Sequence, residues 1–324
     1  MKATVTMLGC AAALALAGLA QAQPAWPSKS VRLVVPLPPG SGSDLLARAM
    51  AQRLTVQWGQ AVVVDNRPGA NTIVATESVA RAAPDGHTLL FALGTSFTVN
   101  PHLYAKLPYD AVKDFAPIIL ITTFSTVLVA NPALPANGVA ELLALARSQP
   151  GKISYGSIGA GSEMHLLSAM LANKAGIEML HVPYKGIPQM MSAVLTGEVQ
   201  LTWVGVFSSR PLVGSGRLKA LGFGGAKRSP MMPEVPTLAE SGFPEVEMAV
   251  SYGLIAPAAT PRALLERIHA DVLKVIEDPE FRDKEMLAKG YEPSGLGPEA
   301  YAALLARESA RHAVMVKISG ARVE

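Results

Sequence analysis

The chain has 324 residues, of which 50% are hydrophobic and only 16% are charged. This composition excludes an intrinsically disordered chain, and a formal net charge of +3 is too small to indicate a nucleic-acid partner. The length predicts about two domains with sizeable hydrophobic cores.

The first 22 residues are typical of an export signal. Lys2 precedes an uncharged apolar run over 3–19, and the sequence AQA at 20–22 fits the small-x-small rule for signal cleavage. The run is short and rich in alanine for a membrane anchor, which needs roughly 20 strongly apolar residues. Cys10 leaves a lipoprotein site open as an alternative. Because Cys10 is the only cysteine, the exported chain is predicted to have no disulfide and no thiolate metal ligand.

Short apolar runs then alternate with amphipathic stretches, which favours parallel sheets covered by helices. The predicted strands are 31–37, 61–64, 88–93, 118–121, 127–130, 153–155, 179–182, 199–204 and 218–223. One helix is predicted from Asp44 to near Gly59, and another from after Ser162 to Gly176. A third is predicted to start with Thr260 as its N-cap and Pro261 in its first position. Since no linker separates the strand-helix units, we expect two lobes with a cleft between them.

Two turns rich in glycine and serine follow predicted strands. The sequence PGSGSD at 39–44 leads into one predicted helix, and GSIGAGS at 156–162 leads into another. A helix start leaves backbone N–H groups unpaired and attracts anions, and glycines let an anion approach the backbone. Ligands of open α/β sheets bind beyond the carboxyl ends of the strands, where both turns lie. The pair of turns therefore predicts one shared anion, with ordinary tight turns capped by Ser43 and Ser162 as the alternative.

Other chemistries find little support in the sequence. Neither turn contains the dinucleotide motif GxGxxG, no phosphate-binding P-loop motif occurs, and no serine lies in the GxSxG motif of hydrolases. The six histidines show no paired metal-ligand spacing. We therefore predict no metal, no cofactor and no catalysis. A small-molecule hydrolase that uses Ser162 and His165 is the alternative, because the two residues are three positions apart at a predicted helix start.

Several short motifs carry a resemblance to a known family. They are VRLVVP at 31–36, DNRPGA at 65–70, APDGHTL at 83–89, NPHLY at 100–104, LPYD at 107–110, KDFAP at 113–117 and HVPYKG at 181–186. On these motifs the chain resembles the Bordetella uptake gene (Bug) family over essentially its whole length after the predicted signal. The resemblance implies the periplasmic substrate-binding component of a tripartite tricarboxylate transporter. It also implies an α/β fold of the two-lobed periplasmic-binding-protein type (Venus flytrap, type II-like), with a ligand cleft between the lobes.

The resemblance further implies a domain division and partners. After the signal peptide at 1–22, lobe 1 would comprise 23–122 and 246–324, and lobe 2 would comprise 123–245. The ligand would be a small organic carboxylate, bound by a monomer in the periplasm and delivered to a two-component membrane permease. Delivery to a membrane sensor kinase stays open as an alternative, and no nucleic acid or cofactor is expected.

The residues expected to bind the ligand come from the two turns and from nearby strand ends. They are Pro38, Gly40, Ser41, Gly42, Asp44, Thr95, Ser96, Gly159, Ala160, Gly161, Ser162, His165, Tyr184 and Val204. Backbone N–H groups and ordered waters are expected to hold the carboxylate.

The chain departs from the family pattern at positions that bear on the ligand. Asn71 and Thr72 replace family glycines, and Val204 stands where the family pattern has an acid. Because valine accepts no hydrogen bond, the sequence favours an acid with an apolar or aromatic body over citrate or an amino acid. The alternative is that Val204 is simply a core residue of its strand.

Overall fold

The computed structural model describes residues 26–323, so the predicted signal peptide and the Cys10 lipoprotein site lie outside the described residues. Ten strands within that range form one sheet: β1 (Val31–Val35), β2 (Val62–Asn66), β3 (Thr88–Leu93), β4 (Phe115–Ala130), β5 (Ser154–Ser157), β6 (Leu180–Pro183), β7 (Leu201–Gly205), β8 (Lys219–Phe223), β9 (Ala249–Pro257) and β10 (Glu292–Pro293). Their order is β2-β1-β3-β9-β4-β7-β5-β6, and β8 and β10 also pair with β4. Between 26 and 323, no helix has the length and apolar character needed to cross a bilayer.

Seven α-helices and β-strands precede β4 in the described part of the chain. They are β1 (Val31–Val35), α1 (Gly42–Trp58), β2 (Val62–Asn66), α2 (Ile73–Ala80), β3 (Thr88–Leu93), α3 (Thr95–Thr98) and α4 (Asn100–Leu103). Gly59 ends α1 in a left-handed conformation, as the sequence predicts. Strand β1 pairs in parallel with both β2 and β3, which brings the loop after β1 to the carboxyl edge of the sheet.

Strand β4 (Phe115–Ala130) corrects the sequence prediction of two separate strands at 118–121 and 127–130. The polar residues between the two apolar runs continue the strand instead of breaking it. Positions 115–125 pair with β9, positions 126–130 pair with β7, and positions 127–130 also pair with β8. The polar stretch therefore lies where β4 passes from one part of the sheet to the other. We call the part built on β1, β2, β3 and β9 the first lobe, and the part built on β5 to β8 the second lobe.

The elements after β4 complete both lobes. They are α5 (Val139–Ser148), β5 (Ser154–Ser157), α6 (Glu163–Ala175), β6 (Leu180–Pro183), α7 (Ile187–Thr196), β7 (Leu201–Gly205), α8 (Val206–Gly214), β8 (Lys219–Phe223), β9 (Ala249–Pro257), α9 (Arg262–Glu277), α10 (Pro279–Phe281), β10 (Glu292–Pro293) and α11 (Pro298–Ser319). Gly176 ends α6 as predicted. Strand β9, which the sequence analysis missed, is antiparallel to β3 and β4, so the sheet is mixed and not simply parallel.

The start of α9 also differs from its prediction. Pro261 is the N-cap residue and the helix begins at Arg262, so Pro261 is not in the first helical position. The Thr260 hydroxyl is buried without a hydrogen-bond partner among the described residues, so it does not cap the helix. Because proline has no N–H, the helix loses no donor by starting after it.

Helix α11 packs against α3 of the first lobe and α6 of the second lobe. Tyr301, near its start, is buried in a first-lobe core with Phe97 and Phe115. Met315 and Val316, near its end, belong to the large core of the second lobe. This helix therefore contacts both lobes, whereas the predicted division assigns it to lobe 1.

Candidate functional site

The first predicted turn is held by the buried carboxylate of Asp44. It accepts hydrogen bonds from the Gly40 N–H at 2.8 Å and the Asn66 side-chain amide at 2.9 Å, and it pairs with Arg48 at 3.0 Å. Burial would raise the pKa of Asp44, but the hydrogen bonds from Arg48, Gly40 and Asn66 hold it below its ordinary value. Asp44 is thus an ionised group whose oxygens are engaged inside the protein, and it shapes the turn.

The free backbone donors of this turn lie at the start of α1. Ser41, and not Ser43, is the N-cap, and its hydroxyl accepts from the Asp44 N–H at 3.4 Å. The Ser41 N–H donates to the Pro38 carbonyl at 3.2 Å. Among residues 26–323, the N–H groups of Gly42 and Ser43 have no acceptor, as expected for the first residues of a helix. The N–H groups of Gly42 and Ser43, and not that of Gly40, are therefore free to donate to a bound anion.

The second turn is braced by His165. Its Nδ1 atom accepts the Gly161 N–H at 3.1 Å, and its ring stacks on His181 with centroids 4.0 Å apart. Burial and then the neighbouring His181 lower the pKa of His165 to about 4, so the ring is neutral at neutral pH. The Gly161 N–H is consequently occupied. Free donors at this turn include the N–H groups of Ala160 and Glu163, which have no acceptor within the described part of the chain.

Ser162 neither caps α6 with its side chain nor pairs with His165. It occupies the N-cap position of α6 but makes no side-chain cap, because its hydroxyl donates to the Gly159 carbonyl at 2.7 Å. Ser162 and His165 are not hydrogen-bonded to each other among the described contacts. The two residues thus do not form the serine-histidine pair that the hydrolase alternative needs.

Thr95 and Ser96 lie at the start of α3, close to the loop that follows β2. The buried Ser96 hydroxyl shares a hydrogen bond of 2.7 Å with Thr72, while Thr95 is partly exposed. The loop residues Ala70, Asn71 and Thr72 have φ angles of 44°, 50° and 75°, a left-handed region that glycine occupies most easily. Asn71 and Thr72 therefore adopt the left-handed backbone conformation that glycines would adopt most easily, and they are strained in it.

Tyr184 lies beside the second turn, because its backbone N–H donates to the Ser157 carbonyl at 2.8 Å. The Tyr184 hydroxyl donates to Glu198 at 2.9 Å. Val204 is only 4% exposed and belongs to the hydrophobic core of the second lobe. The structure therefore gives Val204 the surroundings of a core strand residue.

Glu163 is a site residue that the sequence analysis missed. It is the first residue of α6, and its carboxylate accepts a hydrogen bond from the Thr126 hydroxyl at 2.7 Å. Thr126 lies at the point where β4 exchanges its β9 pairing for the β7 pairing, opposite Gly205. Burial raises the pKa of Glu163 to about 7, opposed in part by the Thr126 hydrogen bond. The sequence signals were an acid directly after Ser162 and the polar break within the apolar run of β4.

Three aromatic rings pack together beside the start of α1. Phe124 has its ring centroid 5.1 Å from that of Tyr252 and 5.3 Å from that of Tyr291. A Cβ atom on Gly42 would collide with the Tyr291 hydroxyl and would lie 3.8 Å from the Tyr252 hydroxyl. The pKa of Tyr252 is raised by burial, and further by Tyr291 and by the Glu163 charge. Tyr252 therefore lies near both the start of α1 and the carboxylate at the start of α6.

Together these residues define what we call the cleft site: Gly42, Ser43, Phe124, Thr126, Glu163, Tyr252 and Tyr291. Its free N–H groups can hold an anion, its rings can cover an apolar body, and Glu163 can accept a hydrogen bond.

A separate cavity of about 760 Å³ lies against α6, β6 and the end of α11, and none of residues 38–44 lines it. It cannot hold an anion shared by the two turns.

Known proteins resemble this chain over most of its length. The model of the tripartite tricarboxylate transporter family receptor matches residues 46–320. A UPF0065 protein from the tcbD-tcbE intergenic region of Pseudomonas sp. (strain P51) is 38% identical over 293 residues, which cover 90% of this chain and 87% of that protein.

Solved structures share the fold. R. palustris Rpa4515 with adipate is 33% identical, with a TM-score of 0.84 over 92% of this chain and 100% of that one. The periplasmic binding protein BugD is 30% identical, with a TM-score of 0.81 over 92% of this chain and 100% of that one. These similarities confirm the family resemblance seen in the sequence motifs and the two-lobed α/β binding-protein fold.

Proposed function

Because the chain belongs to the tripartite tricarboxylate transporter receptor family, we propose that it captures a small organic carboxylate in the periplasm and delivers it to a two-component membrane permease. Residues 1–22 would direct export and be removed. The protein would act as a monomer that binds its ligand and performs no chemistry on it.

The observation that carries this proposal is that each lobe presents a helix start with free backbone N–H groups. Helix α1 of the first lobe offers the free N–H groups of Gly42 and Ser43. Helix α6 of the second lobe offers that of Glu163. Hydrogen bonds from neutral donors to a carboxylate are stronger than those between neutral groups, so a buried arginine is not needed. The adipate in R. palustris Rpa4515 supports a carboxylate ligand for a protein of this fold.

The path of β4 and β9 suggests how ligand binding would be coupled to closure of the two lobes. Both strands pair along 115–125 and 249–257, and β4 alone continues into the second lobe. A ligand that contacts both helix starts would favour the closed arrangement of the lobes, by no more than its difference in affinity for the two arrangements. Closure would then present a changed surface to the permease.

A thermal-shift screen over mono-, di- and tricarboxylates, aromatic acids and amino acids tests the proposal, followed by calorimetry on each hit. We expect at least one acid to raise the melting temperature, with micromolar or tighter binding and a more compact particle in small-angle scattering. The corresponding alcohols and amides are the matched controls, and they should not bind. If no acid in the panel binds, or if a bound acid is chemically converted, the proposed function is wrong.

A further inference from the structure

We propose that Glu163 recognises a protonated amine, so that the preferred ligands of the cleft site are carboxylic acids that also carry an amino group. This inference rests on the proposed function and adds a ligand class to it. The expectation from the sequence is that the site lacks a hydrogen-bond acceptor, because Val204 stands at the position where the family pattern has an acid. In the structure, Glu163 supplies an acceptor instead.

The contacts of Glu163 leave one acceptor oxygen free. Its Oε1 atom accepts from Thr126, whereas Oε2 has no hydrogen-bond partner among residues 26–323. Within the same residues, no lysine, arginine or histidine lies within 4.0 Å of the carboxylate. The side chain is only partly buried, so a ligand can reach it. A partly buried carboxylate without a cation is stabilised by gaining one, and here the ligand can supply it.

The aromatic rings near Glu163 also favour the binding of a protonated amine. Phe124 and Tyr291 are partly exposed, and their faces attract a cation that approaches within about 6 Å of a ring centroid. Neither the Tyr252 nor the Tyr291 hydroxyl has a hydrogen-bond partner in the described part of the chain, so both oxygens can accept from an ammonium. An ammonium at this position would meet the Glu163 carboxylate, with the Tyr252 hydroxyl near it.

The two charges of an amino acid match the two ends of the site. Its carboxylate can take the free N–H groups at the start of α1, and its ammonium can take Glu163 at the start of α6. A second carboxylate in place of the amine would face Glu163 and would require that group to hold its proton. An amine instead stabilises the ionised form of Glu163.

The two ligand classes therefore differ in their pH dependence. Thr126 from β4 donates to Glu163, Tyr252 from β9 lies near it, and Tyr291 from the segment before β10 packs against Tyr252. The pKa of both tyrosines is raised above 10, so neither ionises below pH 8. Because the pKa of Glu163 is about 7, the affinity for an amino acid should rise about tenfold from pH 6 to pH 8. The affinity for a dicarboxylate should instead fall.

The test compares acids with and without the amine by calorimetry at pH 8: glutamate with glutarate, 4-aminobutyrate with butyrate, and phenylalanine with 3-phenylpropanoate. In the wild type we expect the amine of the best-binding pair to improve affinity at least tenfold. Glu163→Gln should bring that ratio close to one and remove the pH dependence. Glu178→Gln is the matched control, because Glu178 is an exposed residue of the same lobe that lies outside the cleft site.

Three outcomes of these measurements distinguish the inference from the proposed function. A ratio that falls only in Glu163→Gln supports the inference. Equal or tighter binding of the acid without an amine, or a ratio that Glu163→Gln leaves unchanged, overturns the inference while the proposed function stands. Failure of every acid to bind overturns the proposed function and this inference with it.

Discussion

The hydroxyl of Thr126 donates a hydrogen bond of 2.7 Å to the carboxylate of Glu163. Thr126 lies in β4, the strand that is shared by both lobes, and Glu163 begins the helix whose N-terminus faces the cleft. The bond therefore links the crossing point of the sheet to an ionisable group of the cleft site. Its removal should change the ionisation of Glu163 without changing the position of the helix.

Thr126→Val should make stability more sensitive to alkaline pH. The folded-state pKa of Glu163, about 7, lies above its ordinary value of 4.5, so its favourable contribution is complete below pH 4.5 and is lost as pH rises through 7. Without the hydroxyl, the pKa should rise further, and the variant should lose about 1 kcal/mol more than the wild type between pH 5 and pH 8. Urea unfolding at both pH values measures this, and Thr126→Ser should retain the wild-type profile. Identical profiles for Thr126→Val and the wild type would contradict the assignment.

The glycines of the two turns should respond differently to alanine. At Gly42 the added methyl meets the Tyr291 hydroxyl, the end of a movable side chain, so the ligand-free protein should lose less than about 1 kcal/mol while carboxylate binding weakens. At Gly161, φ is 74° and the methyl would press on the buried Leu103. Strain and overpacking should together remove about 2–4 kcal/mol of stability. Thermal unfolding with and without ligand separates the two effects, and equal melting temperatures for the two variants would be evidence against this geometry.

Val204→Asp should destabilise the protein strongly. Because Val204 is 4% exposed in an apolar core, an aspartate there would have to bury a carboxyl group, with a loss of about 3 kcal/mol or more. Val204→Ala is the control for lost volume and should have a smaller effect, about 1–2 kcal/mol. Circular dichroism melts measure both variants. A Val204→Asp protein as stable as the wild type would mean that this position is open to the cleft.

His312 should make the protein less stable in mild acid. Its Nδ1 atom is hydrogen-bonded to the Thr98 hydroxyl at 2.9 Å, and burial, followed by the charges of Arg311 and His102, lowers its pKa to about 4. The unfolded chain binds a proton near pH 6.5, so stability falls as pH drops from 6.5 towards 4. The loss from this group should reach about 2 kcal/mol at pH 5. His312→Gln should remove that part of the pH dependence in urea titrations, and an unchanged slope would count against a neutral buried ring.

Ala70→Gly should stabilise the protein. Ala70 is exposed and has a φ of 44°, where a Cβ atom is unfavourable by about 1–2 kcal/mol. Part of this gain is offset by the larger entropy of glycine in the unfolded chain, so we expect a net gain of about 0.5–1 kcal/mol. Ala270→Gly, at an exposed position within α9, should instead lose about 1 kcal/mol. The same direction of change in both variants, measured by thermal unfolding, would contradict the strain at position 70.

Local patterns were sufficient to predict the class of fold and most of its elements. Strand β3 was predicted with its observed bounds, and the glycines that end α1 and α6 were identified, because these signals lie within a single strand or a single helical turn. Strand β9 was missed because serine, tyrosine and glycine interrupt its apolar run. The two halves of β4 were predicted apart for the same reason, since Thr122 to Thr126 are mostly polar.

The sequence by itself determined the family, the two turns rich in glycine and serine, and the helices that follow them. Tertiary structure alone decided which donors are free, because the Gly40 and Gly161 N–H groups are taken by side chains four residues further along a helix. It also decided that Val204 is buried and that Glu163 lies beside Thr126 and Tyr252. The latter three residues are far apart in the chain and meet only because β4 pairs with β9 and then continues into the second lobe. No spacing in the sequence encodes such a meeting, since it depends on strand pairing over long distances.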